Sequence, residues 1–188
     1  IADVDVIHHN LFTNQIAYLM LAFDCKKVPD ELLPYVGLLS SVLGLMDTHK
    51  HTYPELTNEI NINSGGIATD AAIYTDSKDF SKYTVMYEVK GKVLYEKLPF
   101  VLEMMHEIIY ETKFEDEKRL REIIARIKSR MESNMTGSGH TVAMLSAMAQ
   151  FSPSSYYSDI LRGYQYYEFI EKADRDFDRM QVMLAENL

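Results

Sequence analysis

The sequence predicts an α+β fold, a two-layer α/β sandwich in which helices pack on one face of a mainly antiparallel sheet. Two observations carry this prediction. Segments with strand periodicity occur in two groups, and each group is followed by segments with helical periodicity. No low-complexity linker and no short internal repeat divides the 188 residues, a length that suits one large domain. We therefore expect residues 1–188 to form a single domain.

Four segments are predicted to be strands. Val4–His9 alternates between apolar and polar residues, and Asn14–Phe23 is rich in apolar strand formers. Ile67–Thr75 and Tyr83–Val89 follow the first pair of helices. In Tyr83–Val89 every second residue is Tyr or Val, which predicts that one face of this strand is buried.

Two helices are predicted between the two groups of strands. The first opens at Asp30 and extends to Met46, because apolar residues recur at three- and four-residue spacing. The second begins after Thr52, a good N-cap, and Glu55 three residues later completes a capping box. This helix is predicted to end near Asn63–Gly66, where two glycines permit a sharp exit.

After the last strand, the chain is predicted to be helical almost to its end. One helix covers Tyr95–Tyr110, and another covers Glu115–Met131 with an apolar inner face. A loop is predicted at Asn134–Gly139. It leads into a helix of small residues suited to close packing, His140–Gln150, and Gly163–Leu188 is predicted to be one long amphipathic helix.

The composition argues against several classes of function. The net charge of −9 is unfavourable for a nucleic-acid surface, which needs clustered cations. The longest basic stretch, residues 118–130, alternates with glutamates and is predicted to be a solvated helix face with i, i+4 ion pairs. No run of the sequence reaches the roughly 18 apolar residues of a membrane span.

The cysteine count and the start of the chain bear on its cellular context. Cys25 is the only cysteine, so the chain has neither an internal disulfide nor a cysteine-based zinc site, and a reducing compartment is expected. The start, Ile1–Val6, has no initiator methionine and no basic leader followed by an apolar core. We therefore expect a fragment of a longer protein.

Six histidines are candidates for metal binding or acid–base chemistry. His8 and His9 are adjacent in a predicted strand and would point to opposite faces, so they are not expected to share an ion. His49 and His51, in the turn before the second helix, form a candidate surface metal clamp. No carboxylate stands at ligand spacing beside them, and a structural role is favoured for both pairs.

Two single histidines complete the set. His106 lies among glutamates on a predicted helix but has no second histidine three or four residues away. His140 follows Gly-Ser-Gly and would begin a helix, where it either meets a peptide carboxylate or backbone or only caps the helix. The chain contains neither a phosphate-binding loop nor a Gly-x-Ser-x-Gly elbow. The residues by themselves therefore identify no catalytic set.

A series of motifs in fixed order nevertheless resembles a known family. The motifs are Leu11–Tyr18, Pro29–Tyr35, Thr52–Leu56, Ser64–Ile67, Ser138–His140 with Ala147–Ala149, and Gly163–Phe169. Together they resemble the third domain of presequence-protease-like enzymes, a branch of the insulinase/pitrilysin-type zinc metallopeptidases. The resemblance covers nearly the whole chain and implies the insulinase/processing-peptidase type of sandwich.

The resemblance also implies a parent enzyme. That enzyme would have four similar domains, arranged as two halves around a chamber in which unfolded peptides are degraded. Its first domain would bind zinc through His-x-x-Glu-His on a helix and a further glutamate, and the glutamate of the motif would activate the metal-bound water. Zinc is thus the expected cofactor of the parent, whereas this chain is expected to hold none.

The first predicted helix decides what the resemblance implies for this chain. Aligning Gly37 with the glycine before the zinc motif places Ser40, Leu43 and Gly44 on the His, Glu and His positions. No shift of register helps, because residues 36–46 contain neither histidine nor glutamate. The implied role is a non-catalytic structural domain in the C-terminal half of the chamber, with no catalytic residue and no metal ligand.

The remaining expectations concern contacts and location. Ser138, Gly139 and His140 are expected to face the substrate chamber, and no substrate role is assigned to Arg162 or Tyr164. The expected partners are the other domains of the parent chain and the peptide substrates of the parent, with neither nucleic acid nor membrane. A bacterial cytoplasmic location is expected, with an organellar matrix as the second choice.

Two alternatives remain at this stage. The chain is a scaffold or interaction module from a proteolytically inactive relative of the same family, in which case the first domain of the parent lacks an intact His-x-x-Glu-His. Or it is a free-standing metal-binding protein that uses His49 and His51, which would need further ligands.

Overall fold

The computed structural model describes residues 4–79 and 81–188 and confirms the α+β class. Three antiparallel strands in the order β1-β3-β2 form the sheet: β1 (Ile16–Asp24), β2 (Ile67–Thr75) and β3 (Tyr83–Leu94). The helices are α1 (Leu33–Val42), α2 (Tyr53–Asn63), α3 (Leu98–Tyr110), α4 (Glu117–Met148), α5 (Pro153–Arg162), α6 (Tyr164–Arg175) and α7 (Phe177–Asn187). Residues 1–3, part of the start from which a fragment was expected, lie outside the described residues.

The central strand, β3, has the predicted buried face. Val85, Tyr87 and Val89 on this strand are buried, and they point toward α3 and α5. On the opposite face of the sheet, Tyr18 and Met20 of β1 remain mostly exposed. The helices therefore cover one face, as the alternation predicts.

Two hydrophobic cores meet at α1. The first lies between the sheet and α2, α3 and α5, and the second lies between α1, α4, α6 and α7. Leu33 of α1 belongs to the first core, whereas Leu38 and Val42 belong to the second. The inner face predicted for α4 is confirmed by four buried residues, Leu120, Ile123, Ile124 and Ile127. The position of α1 is thus fixed from two sides.

The prediction of a strand at Val4–His9 is wrong. These residues are exposed and irregular, and no strand of the described chain pairs with them. Alternation marks a segment that suits a sheet, but a strand forms only where a neighbour supplies hydrogen bonds. The first predicted helix also ends earlier than expected, at Val42 instead of Met46.

The C-terminal half departs most from the prediction. The loop predicted at Asn134–Gly139 is shorter than expected: α4 consists of two helical segments, and the break between them is confined to Ser138 (φ −141°, ψ 36°), inside the predicted range. Residues 140–150 pack loosely, and their large apolar side chains are exposed. Gly163–Leu188 forms two helices that are separated at Asp176, and α5 was not predicted at all.

Candidate functional site

The three positions that the family resemblance assigns to a zinc motif lie at the end of α1. Ser40 is helical, and its hydroxyl donates to the carbonyl of Gly37 at 2.7 Å. Leu43 is the first residue outside the helix, with extended backbone angles (φ −58°, ψ 133°). Gly44 follows with φ +79°, in the left-handed region that favours glycine. The chain therefore leaves the helix before the second and third positions of the motif.

A close helix crossing holds α1 in this place. A Cβ atom built on Gly37 would lie 2.4 Å from the carbonyl oxygen of Leu161 and 3.0 Å from the Tyr166 ring. The C-terminal end of α5 thus lies directly against α1, at a distance that only glycine permits. On the other side, the Thr69 hydroxyl of β2 donates to the Ser40 carbonyl at 2.9 Å.

A cavity of about 620 Å³ opens beside the end of α1, and Ser40, Leu43 and Gly44 form part of its wall. Its apolar wall is completed by six further residues, Leu45, Ile60, Ile67, Ala68, Ile108 and Ile127. Its charged residues are Arg126 and Arg130 of α4, and the described wall contains neither aspartate nor glutamate. The cavity is therefore cationic, although the chain as a whole carries a charge of −9.

The residues at this site do not fit a zinc ion. Zinc in proteins is bound by Cys, His and carboxylate side chains, and the wall of the cavity has none of these among the described residues. Across residues 4–79 and 81–188, no group of three or more His, Cys, Asp or Glu side chains is placed to hold a metal ion. Serine, leucine and glycine offer neither a ligand nor a general base.

The His49–His51 segment acquires a carboxylate that sequence spacing did not reveal. His51 Nδ1 lies 2.8 Å from Glu107 Oε1 of α3, a residue 56 positions further along the chain. Glu107 is fully buried and also accepts a hydrogen bond from the Thr48 hydroxyl. The hydrogen bond with Glu107 raises the pKa of His51, partly opposed by desolvation. His49 is exposed and contributes its backbone N–H to the Glu111 carbonyl at 3.0 Å.

This arrangement is an anchor for the loop rather than a metal clamp. One ring nitrogen of His51 is already used by Glu107, and the backbone of His49 is tied to α3. A long-range contact of this kind leaves no local motif, so only the structure brings Glu107 to the loop. His106, on the exposed side of α3, lies 3.7 Å from the Glu111 carboxylate.

Ser138, Gly139 and His140 lie at the kink of α4, and all three are exposed. Because Ser138 has non-helical backbone angles, His140 lies in the first turn of the second segment of α4, close to the helix start that the sequence predicts. Arg162 has a structural contact: its guanidinium donates to the Ala71 carbonyl of β2 at 2.5 Å. The backbone N–H of Tyr164 donates to the Asp159 carboxylate at 2.7 Å.

The basic face of α4 is only partly paired as predicted. Arg119 pairs with Glu122 on the same helix, whereas Arg121 and Lys128 pair with aspartates of α7 and α6. Arg126 and Arg130 take part in none of the ion pairs between described residues, and no local pattern indicates that they border a cavity.

In the described part of the chain, no helix is both long and apolar enough to cross a membrane.

Comparison with known proteins assigns the chain to a family. The model of the domain family associated with metallopeptidase family 16, subfamily C, matches residues 1–172. The chain belongs to this family. Membership confirms the resemblance to the presequence-protease-like branch of the insulinase-type metallopeptidases that the motifs indicated.

Similar proteins come from bacteria and from eukaryotic organelles. The chain is 33% identical over 178 residues to Protein HypA of Clostridium perfringens (strain 13 / Type A), in a match that covers 93% of this chain and 18% of that protein. It is 29% identical over 193 residues to presequence protease 1, chloroplastic/mitochondrial, of Arabidopsis thaliana, in a match that covers 99% of this chain and 18% of the relative. The chain therefore spans about a fifth of the length of these relatives.

One solved structure supports the fold. A conserved protein from Enterococcus faecalis V583 aligns with a TM-score of 0.56 and 12% identity, over 84% of this chain and 40% of that one. At this identity the likeness concerns the fold alone.

Proposed function

We propose that residues 1–188 form one non-catalytic domain, the third, of a presequence-protease-like zinc metalloendopeptidase. The domain forms part of the C-terminal half of a chamber that encloses peptides, and the parent degrades unfolded peptides with zinc held by its first domain. The observation that carries the proposal is the end of α1, where Ser40, Leu43 and Gly44 occupy the motif positions.

The backbone supports this proposal as strongly as the side chains do. In His-x-x-Glu-His, two histidines four residues apart grip one ion because they share a face of a continuous helix. Here α1 ends at Val42, so the last two motif positions lie outside it. A histidine in place of Gly44 would also need a positive φ, which costs an ordinary L-residue about 1–2 kcal/mol.

Exposed apolar side chains support a role in domain contacts. One group lies on the outer face of the edge strand β1 and includes Tyr18 and Met20; another lies on the outer half of α4 and includes Met144 and Leu145. Extended apolar patches of this kind are typical of interaction sites. Because the chain spans only 18% of its relatives, we propose that other domains of the same parent chain cover both patches.

The kink in α4 is the proposed point of contact with the chamber. Ser138, Gly139 and His140 are exposed beside the second patch, so their backbone and side chains are accessible to a peptide.

We place the parent in the bacterial cytoplasm, in line with the bacterial relative, and in an organellar matrix as the second choice, in line with the Arabidopsis one.

Peptide cleavage by the parent tests the proposal. Replacing the glutamate of the first domain's His-x-x-Glu-His by glutamine is expected to abolish cleavage of unfolded peptides, although this domain stays intact. Ser40→Ala, a change at the first of the three motif positions in this domain, is expected to leave the rate unchanged. A parent whose first domain lacks the motif and cleaves nothing would instead be the scaffold alternative. Cleavage that survives the glutamine substitution would contradict the proposal.

A further inference from the structure

The cavity beside the end of α1 combines features that the proposed structural role does not require. Its volume of about 620 Å³ falls within the range of about 300–1,000 Å³ that is usual for ligand pockets. Most of the wall is apolar, and the two arginines of α4 are its only charged residues among those that the structure describes. An apolar pocket with a few convergent polar groups is the usual form of a site for a small ligand or a chain end.

The two arginines are placed to act together. Arg126 and Arg130 are four residues apart on α4, so they lie on the same face of the helix. Both are exposed at the edge of the cavity, and neither has a carboxylate partner among the described residues. The cations next to them on α4, Arg121 and Lys128, do have acidic partners on other helices.

The buried hydroxyl group of Tyr166 lies near the cavity. The phenol oxygen of Tyr166 is buried and has no hydrogen-bond partner among the described residues. Burial raises the pKa of Tyr166, and the Ser41 hydroxyl and the Arg130 guanidinium act in the opposite direction. Ser41 and Arg130 both line the cavity. Buried polar groups without a partner are rare, and a bound oxygen atom is one means by which they are satisfied.

We propose that this cavity binds a carboxylate group of a peptide, with the guanidinium groups of Arg126 and Arg130 on the carboxylate and an apolar side chain of the peptide against the isoleucines. Arginine suits this role because its planar group donates two parallel hydrogen bonds to a carboxylate. The choice of a peptide rests on the proposed function. The carboxylate is either the C-terminal group or an acidic side chain of the peptide, and the experiment separates these two sources.

Fluorescence anisotropy with labelled peptides tests the proposal. The protein is purified with every further domain that its natural chain carries, and a zinc chelator is added so that no peptide is cut. The probe is a short peptide with an N-terminal fluorescein and a C-terminal leucine, in its free-acid form. The double variant Arg126→Gln/Arg130→Gln is expected to weaken binding by about tenfold or more, as the loss of charge-assisted hydrogen bonds predicts.

A matched variant controls for net charge. Arg175→Gln/Arg179→Gln removes the same two charges from exposed positions outside the cavity, and its affinity is expected to stay within about twofold of that of the wild-type protein. If the C-terminal amide form of the peptide binds as weakly as the cavity variant does, the C-terminal carboxylate is the ligand. If an amide form with an internal glutamate binds tightly, the side chain is the ligand.

Three results would overturn the inference: equal binding by wild-type protein and the cavity variant, equal binding of peptides with and without a carboxylate, or competition by inorganic phosphate but not by acetate. Failure of the proposed function is a separate outcome, because it appears as a parent that cleaves no peptide, whatever the two arginine variants bind.

Discussion

The contact between His51 and Glu107 attaches the loop between α1 and α2 to α3. The carboxylate is fully buried, and its contacts are the His51 ring at 2.8 Å and the Thr48 hydroxyl. A buried carboxylate is stable only when polar neighbours replace water, so the loop and α3 depend on each other. The hydrogen bond with Glu107 raises the pKa of His51 and so favours the charged form of the ring.

The stability of the protein should therefore depend on pH through His51. Because the folded-state pKa is raised, the stabilising contribution is fully present below the unfolded value of about 6.5. It is lost as the pH rises through the folded pKa. His51→Gln is expected to lower the free energy of unfolding by about 1 kcal/mol at low pH, and by less at high pH. Urea unfolding at about pH 5.5 and about pH 8.5, on either side of the titration, measures the difference.

His49→Gln is the control for this experiment. The side chain of His49 is exposed, and its backbone N–H donates to the carbonyl of Glu111, directly after α3, so its substitution should change the free energy of unfolding by the same small amount at both pH values. A His51 variant whose effect grows as the pH rises would contradict the assignment.

At the scale of the elements, two glycines determine how closely α1 packs against α5 and how the chain turns after this helix. The side-chain position of Gly37 is occupied by the Leu161 carbonyl of α5, and Gly44 supplies the left-handed turn that ends the segment. We expect Gly37→Ala to lower the free energy of unfolding by about 1–3 kcal/mol, the usual effect of overpacking. Gly137→Ala in α4, where an added Cβ meets no atom within 4 Å, should be neutral or stabilising by up to about 1 kcal/mol. Chemical denaturation compares the two, and equal losses would contradict the close crossing.

The early end of α1 gives a second prediction at this scale. The triple variant Ser40→His, Leu43→Glu, Gly44→His restores the residues of a zinc motif but not a helix that extends through them. We expect it to bind no zinc at micromolar concentration, as isothermal titration calorimetry would show. Stoichiometric zinc binding by this variant would contradict the prediction, because it would mean that the backbone can still position zinc ligands and that only the ligand side chains are absent.

The sequence predicts correctly those elements that are determined by residues close together in the chain, such as the start of α2. The Thr52 N–H donates to Glu55 at 2.9 Å, which is the capping box that the sequence predicts. The break in α4 at Ser138 lies inside the predicted loop, but it is shorter than the loop because a glycine in a helix costs only about 1 kcal/mol, so Gly137 does not end the helix by itself. The break at Asp176 and the contact between His51 and Glu107 depend on tertiary packing, which no short window of sequence records.

At the scale of the whole molecule, charge and apolar surface are unevenly distributed. The chain carries a charge of −9, yet the cavity of about 620 Å³ beside α1 is bordered by two arginines that have no acidic partner among the described residues. The exposed side chains of β1 and of the outer half of α4 lie on surfaces that the chain itself does not cover. The family could be recognised from ordered motifs, but the cavity could not, because its wall is assembled from α1, α2, α3, α4 and β2.

The zinc content of the purified 188-residue chain tests the central claim most directly, once circular dichroism has confirmed that the chain is folded. After exposure to excess zinc and gel filtration, atomic absorption is expected to find far less than one equivalent, because the positions of the motif hold Ser40, Leu43 and Gly44. One equivalent of zinc, together with chelator-sensitive cleavage of an unfolded peptide by this chain alone, would contradict the claim.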